Sequence, residues 1–559
     1  MTIGTILTVI LISVTNLTIT EPVDGEIYDG DWLPLRAIVE NENEIPDSVH
    51  YSLNSGPFVP IPRLNTDWPT YMQNNLNYGY SLSPAPLTND VLWTAPMCDT
   101  MHVFENPIVV GGVVYHLGVQ SLFALEAGTG SEIWNYAVGP HDDPPTYHDG
   151  RLYLASDSLY CIDAATGDRV WAVIAGDVNG GTPCIASGII ACATSSFITN
   201  KTEVFGLGLA DGNVVWQREI TGVIGNCIGE WNGIFYIGTY QGQLSALDAM
   251  TGNVIWSHTI TEGGYWDTSP TIVDGKIYIG GMDGSVHRFD ALTGALEWET
   301  SLGSIPVEPT PAVFGDWIIC GSIGTPGCLV ALDRENGSIQ WSIPSSIHGS
   351  PAVAGDIVFW GGMDAPYDLV FAASAWTGEI LWEYDPNAGP WGLQCTPSIT
   401  DGVMYFGCTD GNLYAFGTGL KYTYREDFFY AEVGSNELIV TSFDEGAAVA
   451  ADTINFTVTQ TGINLEPSHQ LDLCATPNPF HCSASISFEL SDSEFTKIEI
   501  FDLAGRSVSM LVNHKMTAGT QTILWNGTNQ NGDLVSTGLY MCRIQSGAIT
   551  ETIGLCLLR

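Results

Sequence analysis

Positive charge is scarce in this chain: 16 Lys and Arg stand against 62 Asp and Glu in 559 residues, a formal net charge of −46. A surface this acidic repels phosphate backbones and anionic lipid, which excludes nucleic acid and acidic membranes as partners. It suits a solvated extracellular protein, and dispersed surface charge accounts for the excess better than a divalent-cation sink. None of the thirteen cysteines forms a Cys-x-x-Cys pair, which leaves no zinc knuckle or thioredoxin-like motif. Their odd number leaves at least one thiol unpaired. Cys184/Cys192, Cys320/Cys328, Cys395/Cys408, Cys474/Cys482 and Cys542/Cys556 lie close enough in sequence to bridge neighbouring strands. Long apolar runs are also missing. The run from Ile3 to Val14 is too short to span a bilayer and has no Lys or Arg before it, so no transmembrane span is expected. Residues 1–16 read as an atypical signal segment or as an edge strand. Gly-x-Ser-x-Gly, His-Glu-x-x-His, phosphate-loop, dinucleotide and EF-hand patterns are all lacking, so any site must be assembled from distant segments.

What is present is a repeat. Trp93, Trp134, Trp171, Trp216, Trp256, Trp298, Trp341 and Trp382 recur at intervals of 37 to 45 residues. Most close one phrase, as in LSALDAMTGNVIW ending at Trp256 and VHRFDALTGALEW ending at Trp298. Leu-x-Ala-Leu alternates as a strand does, Asp-x-x-Thr-Gly is turn chemistry, and the Trp segment is a second strand. The Gly supplies a positive φ and lets a neighbouring ring pack on it. A period of this length built from short strands is the mark of a β-propeller. A fully buried indole hides ~150–250 Å², roughly 4–6 kcal/mol at ~25 cal/mol/Å², so the eight Trp read as structural docking residues. Trp93 has no preceding turn phrase, and LYAFGTG at 413–419 has no following Trp. Seven complete phrases and one split between the ends predict eight blades, with seven as the alternative.

The motif Ala246, Asp248, Gly252, Trp256 is identified as that of the quinoprotein-like (PQQ-like) propellers, over residues 67–419. That resemblance implies the fold and two kinds of member: pyrroloquinoline quinone (PQQ) dehydrogenases and a non-enzymatic outer-membrane assembly lipoprotein. The dehydrogenases commonly carry a vicinal Cys-Cys, and none occurs here. Residues 17–66 and 420–466 each read as three short strands, too few for a core alone. Together they have the strand number of one immunoglobulin-like (Ig-like) sandwich with the propeller inserted in it. After a linker at 467–472, residues 473–559 resemble the C-terminal sorting domain of type IX secretion cargo, itself Ig-like. The marks are Asn478-Pro479-Phe480, Asp502, Gly505-Arg506, Trp525-Asn526-Gly527, Gly532 and Gly538-x-Tyr540. Trp525 and Tyr540 are expected as core anchors. The fold class is therefore all-β throughout.

In the resembled family the innermost strand of each blade starts near Ser/Thr-Pro. The corresponding marks are Asn106-Pro107, Pro144-Pro145, Thr182-Pro183, Asn226-Cys227, Ser269-Pro270, Thr310-Pro311, Ser350-Pro351 and Thr396-Pro397. The residues before them should ring one mouth of the channel: His102, Glu105, His141, Asp142, Asp143, Asn179, Asn226, Trp266, Asp267, Glu308, His348, Trp391 and Gln394. His with carboxylates could converge on a divalent cation. The same ring, with Trp266 and Trp391 as stacking faces, could hold a sugar or a peptide. The expectation is a secreted or surface-attached bacterial protein, a non-catalytic binding scaffold with no cofactor. Its partners would be the type IX secretion machinery and a surface protein or glycan. The alternatives are an extracellular oxidoreductase using PQQ with calcium, and a carbohydrate-active enzyme using Asp142 and Asp267.

Overall fold

The computed structural model describes residues 14–22, 27–29, 32–41, 48–53, 59–61, 63, 65–97, 106–118, 120–139, 143–173, 181–224, 227–260, 264–265, 268–303, 306–324, 327–363, 369–386, 393–430, 434–444, 447–459, 474–476, 484–490, 495–501, 507–529, 535, 538–546 and 549–557. All regular structure among them is β-strand. Two compact units divide the chain, residues 1–460 and 461–559.

Eight antiparallel meanders of four strands account for the repeat among the described residues. We number them by position: sheet one spans 108–137, two 146–173, three 184–221, four 229–259, five 271–301, six 312–344 and seven 352–384. Sheet eight joins Ser398–Thr400, Val403–Gly407 and Asn412–Phe416 to Val91–Pro96, which comes from the other end of the repeat. This is the split closure that the unmatched phrases predict, and it leaves Asn412–Phe416 no free edge. The hairpin between the first two strands of a sheet is often a pair of positive-φ residues, such as Asp149-Gly150 and Asn232-Gly233. That is the two-residue turn whose twist matches the strands.

The tryptophans join each sheet to the next. A Cβ added at Gly252 of sheet four would lie 2.4 Å from the Trp216 ring of sheet three, and at Gly130, Gly167, Gly212, Gly294, Gly337 and Gly378 it would lie 2.5–2.9 Å from the preceding Trp. Six indoles also donate to a carbonyl of the next sheet: Trp93 to Ala127, Trp134 to Ala164, Trp216 to Ala249, Trp256 to Ala291, Trp298 to Arg334 and Trp341 to Ala375, at 2.8–3.1 Å. Trp382 meets no such glycine and stacks on Phe416, with ring centres 6.1 Å apart. Trp93, Trp216 and Trp382 are buried, whereas the other five are half-buried, so the full-burial energy is an upper bound for them.

Strands from before and after the repeat pair with one another. Val14–Glu21 and Trp32–Asn41 share a sheet with Leu420–Tyr430, and Ser48–Leu53 pairs with Gly434–Asp444. Arg63 ties this flank to sheet eight through Asp401 at 2.7 Å, where Thr66 also donates to the carboxylate. Unit 461–559 has sheets of three and four strands around Phe488, Ile498, Trp525 and Tyr540, the last two edge to face at 5.1 Å. Both predicted anchors are therefore core residues.

The candidate bridges Cys184/Cys192, Cys320/Cys328 and Cys395/Cys408 do not form: none of these six cysteines is in a disulfide, nor is Cys542. Cys184 faces Ala191 across the hairpin, so Cys192 points to the opposite side of the sheet. Cys474, Cys482 and Cys556, like residues 1–13, have no described side chains or lie outside the described residues.

Two outcomes follow. Gly252→Ala should cost about 1–2 kcal/mol of backbone strain plus about 1–3 kcal/mol of overpacking against Trp216. Gly111→Ala, where φ is +58° and nothing lies within 4 Å, should cost the backbone part alone; urea unfolding of both variants measures the difference. Arg63→Ala should cost about 3 kcal/mol by stranding a buried carboxylate. Burial raises the Asp401 carboxyl above its ordinary value despite Arg63 and Thr66. The penalty therefore exists above that folded value, and the variant's deficit should shrink as pH falls from 7 through it.

Candidate functional site

The inner strands surround a channel, and their leading residues form a hydroxyl belt. The Cys227 N–H donates to Ser269 Oγ, that of Ser269 to Thr310 Oγ1, that of Thr310 to Ser350 Oγ and that of Ser350 to Thr396 Oγ1, at 2.8–3.0 Å. The Thr396 N–H donates to Asn106 Oδ1, and Thr182 Oγ1 lies 3.1 Å from Cys227 Sγ. Ser269, Thr310, Ser350 and Thr396, each before a proline, are thus acceptors for the sheet before them, whereas Thr182 accepts from Cys227 of the sheet after it. The counterpart in sheet four is Cys227, one residue beyond the expected mark at Asn226. Burial pushes the Cys227 thiol up to about 12, with Asp143 adding to the shift.

The segment 66–83 crosses one mouth of this channel and touches every inner strand. Trp68 and Val109 of sheet one exchange backbone hydrogen bonds of 2.7 and 2.9 Å. Pro69 O accepts from Tyr147 of sheet two, Asn75 O from Glu230 of sheet four and Leu76 O from Ile272 of sheet five. Tyr78 O accepts from Val313 of sheet six and Gly79 O from Val353 of sheet seven. The Asn75 amide donates to Ile185 O of sheet three at 2.8 Å, and Thr66 and Ser83 bond Thr400, Asp401 and Gly402 of sheet eight. An inner strand has an unpaired edge toward the channel, and this segment supplies its partners. Tyr71 reaches up from the segment into the belt, its phenol 3.1 Å from Thr310 Oγ1 and 2.8 Å from Ser350 Oγ. Burial raises the phenol well above its ordinary range.

Of the predicted ring residues, Asp143, Glu308, His348 and Gln394 are described, each on the approach to an inner strand. Glu308 is 4% exposed, and its carboxylate lies 3.4 Å from His348 Nε2, joining the approaches to sheets six and seven. Asp143 and Gln394 are half-buried on the approaches to sheets two and eight. His102, Glu105, His141, Asp142, Asn179, Asn226, Trp266, Asp267 and Trp391 lie outside the described residues. The approach segments 98–107, 138–145, 174–183, 222–228, 260–270, 302–311, 345–351 and 385–397 contain neither Lys nor Arg. Any charge they present is therefore negative, apart from histidine. Sequence reasoning missed segment 66–83; its only signal is that TDWPTYMQNNLNYGYSLS is rich in Asn and Tyr and fits no repeat phrase.

Against known proteins, a family model described as outer membrane protein assembly factor BamB matches residues 82–228, 228–307 and 282–419. The chain belongs to this family of PQQ-like repeat propellers. A second model, a secretion system C-terminal sorting domain, matches 476–555. That tail marks the protein for secretion or attachment at the cell surface. The dehydrogenase subunit of alcohol dehydrogenase (quinone) from Gluconacetobacter polyoxogenes is 29% identical over 249 residues, 38% of this chain and 28% of that protein. The corresponding subunit from Gluconobacter oxydans (strain 621H) is 28% identical over 250 residues, 38% of this chain and 27% of that protein. The chain thus spans under a third of these relatives' length. Among solved structures, quinohemoprotein alcohol dehydrogenase from Comamonas testosteroni aligns with a TM-score of 0.51 at 16% identity, covering 66% of this chain and 82% of that one. Europium-containing methanol dehydrogenase aligns at 0.51 and 13%, covering 64% and 98%. At these identities the likeness is one of fold.

Tyr71→Phe should cost about 1 kcal/mol, the worth of a hydrogen bond whose acceptors keep other donors. Tyr71→Ala should cost about 3–5 kcal/mol as an emptied buried aromatic site. Equal, negligible losses in urea unfolding would show that Tyr71 does not seat in the belt.

Proposed function

We propose that this protein is a non-catalytic binding scaffold at the bacterial cell surface, exported by the type IX machinery through its tail. The observation that carries this is the state of the channel. Segment 66–83 occupies one mouth, Tyr71 fills space within the belt, and the belt hydroxyls are committed to hydrogen bonds between sheets. What is left for a ligand is the opposite mouth, where the approaches carry carboxylates and no Lys or Arg. Such a rim favours a neutral, hydroxyl-rich partner or a cationic one, as in a glycan or a basic peptide. The flanking strands, paired across the repeat, would form the Ig-like sandwich that presents the propeller.

The second reading is an oxidoreductase using PQQ with calcium, favoured by the quinone dehydrogenases among the relatives. PQQ is a tricarboxylate, and the approach segments offer no fixed cation to it. Glu308 is the described residue best placed to ligate calcium, but its carboxylate already faces His348. The group fits poorly here. Asp142 and Asp267, the pair suggested for sugar hydrolysis, lie outside the described residues.

Thermal unfolding of the full chain with and without PQQ plus calcium separates the readings. A ligand that binds only the folded state at about a hundredfold excess over its dissociation constant adds ~2.7 kcal/mol. The scaffold reading expects no shift with PQQ and calcium, and binding to neutral glycans or basic peptides on an array. A saturable shift with PQQ and calcium would overturn it.

A further inference from the structure

Sheet five carries three side chains that no part of the channel uses. His287, on the third strand, is 1% exposed. Its Nε2 lies 3.2 Å from Asp283 Oδ2 in the preceding turn and 3.9 Å from Glu299 Oε2 on the outer strand. One ligand atom from each of the three lies within 4.8 Å of the others. We propose that Asp283, His287 and Glu299 form a divalent-cation site of the zinc type. It is independent of whatever the channel binds.

Coordination geometry supports this. Zinc takes imidazole nitrogen and carboxylate oxygen at about 2.0–2.2 Å in tetrahedral array, which sets neighbouring ligand atoms roughly 3.3–3.6 Å apart. The observed 3.2 and 3.9 Å bracket that spacing. Glu299 is half exposed and has the freedom to close the remaining distance. Three protein ligands leave a fourth position for water. A nitrogen among the ligands favours zinc over the oxygen-seeking calcium and magnesium.

Charge balance points the same way. Among the described residues the buried Nδ1 atom of His287 has no hydrogen-bond partner. Two acids and one imidazole are short of positive charge, and a cation between them supplies it.

The repeat offers an internal control. The residue across from His287 is Glu299, whereas the same cross-strand pair is Ser245 and Ser257 in sheet four, bonded to each other at 2.9 Å. In sheets two and eight a tyrosine occupies the His287 position and simply donates to the turn aspartate, Tyr160 to Asp157 and Tyr414 to Asp410, with Ala172 and Thr94 across the strand. Turn acid, imidazole and cross-strand acid coincide in sheet five. The turn also has Gly281 where sheet four has Thr239: a Cβ there would lie 2.5 Å from Asp283 Oδ1 and 3.0 Å from His287 Cε1. Side-chain space is thus kept clear for the three ligands.

The site would stiffen one side of the channel mouth. The Met282 N–H donates to Gly264 O, and the Val307 N–H, next to Glu308, donates to Gly281 O. Tyr265 packs edge-on against the His287 ring, centres 6.3 Å apart. A cation linking the turn to the outer strand would fix the approaches to sheets five and six together.

The test is calorimetric titration of ZnCl₂ into EDTA-dialysed, buffer-exchanged full-length protein at physiological salt, alongside Glu299→Gln. Glu299 is half exposed, so this variant keeps the fold, and it changes the net charge by one. The expected result is one saturable site in the wild type and a higher unfolding midpoint with zinc. Binding should weaken by at least about tenfold in the variant, a loss that even an outer-shell change can produce. Cobalt(II) should give visible absorbance of a tetrahedral site in the wild type alone. No saturable zinc site, or zinc and cobalt behaviour unchanged by Glu299→Gln, would overturn the proposal.

Discussion

The contact on which this architecture depends is an indole laid on a glycine of the next sheet. A four-stranded meander cannot bury both its faces alone, and stacking in a ring is what hides them. The turn Asp-x-x-x-Gly does two things at that contact. Its aspartate holds the turn by accepting N–H groups two and three residues on, as Asp163 does from Ala165 and Thr166. Its glycine takes a positive φ and leaves room for the ring. Any other residue at Gly252 would meet Trp216 at 2.4 Å, so sheet spacing is set by backbone against indole, with no side chain between them. The indole N–H then fixes orientation by reaching a carbonyl in that same turn. Where the phrase is lost, at sheet eight, Phe416 stacks on Trp382 and strand exchange with Val91–Pro96 takes over the closure.

Ring closure creates a second obligation, because every innermost strand turns a row of peptide groups toward the axis. In this protein that row is met by the chain itself. The segment 66–83 visits all eight sheets in less than twenty residues, pairing in most cases with the central residue of each three-residue strand. Its geometry is irregular by necessity. A strand would leave the ring after one sheet, whereas positive φ at Met72, Gln73, Asn77 and Gly79 bends the chain round the circle. The belt of Ser, Thr, Asn and Cys above it solves the same problem one layer further along. Both layers commit polar groups to the scaffold that a ligand would otherwise have used.

The sheets were legible in the sequence because their signals are local and repeated. Trp spacing marked the outer strands, Asp-x-x-Thr-Gly the turns, and the unmatched ends at Trp93 and 413–419 marked the closure. The pairing of 14–61 with 420–459 followed from each set being too small to stand alone. Segment 66–83 was not legible. Its partners lie in all eight sheets, the farthest 335 residues along the chain from it, and its pairing uses mostly backbone atoms that any residue possesses. The belt was half legible: the Ser/Thr-Pro marks located it, yet its role as a hydrogen-bond circuit depends on neighbours in space. That also explains the slip at sheet four, where Cys227 takes the hydroxyl's place and no proline marks the register. The cysteine pairs failed for a related reason, since nearness in sequence ignores the alternation that sends Cys184 and Cys192 to opposite faces.

Charge connects these layers to function. The chain carries 62 acids, and the approach segments contribute acids and histidines without a single Lys or Arg. Basic residues instead serve the scaffold: Arg63 on Asp401, Lys276 on Asp290, Arg288 on Glu297 and Arg334 beside Asp274. Cations are few, several are committed to holding strands and turns, and the approach segments hold none of the Lys or Arg. On a fold shared with quinone dehydrogenases, the proposed reading is that these approach segments favour a neutral or positively charged partner.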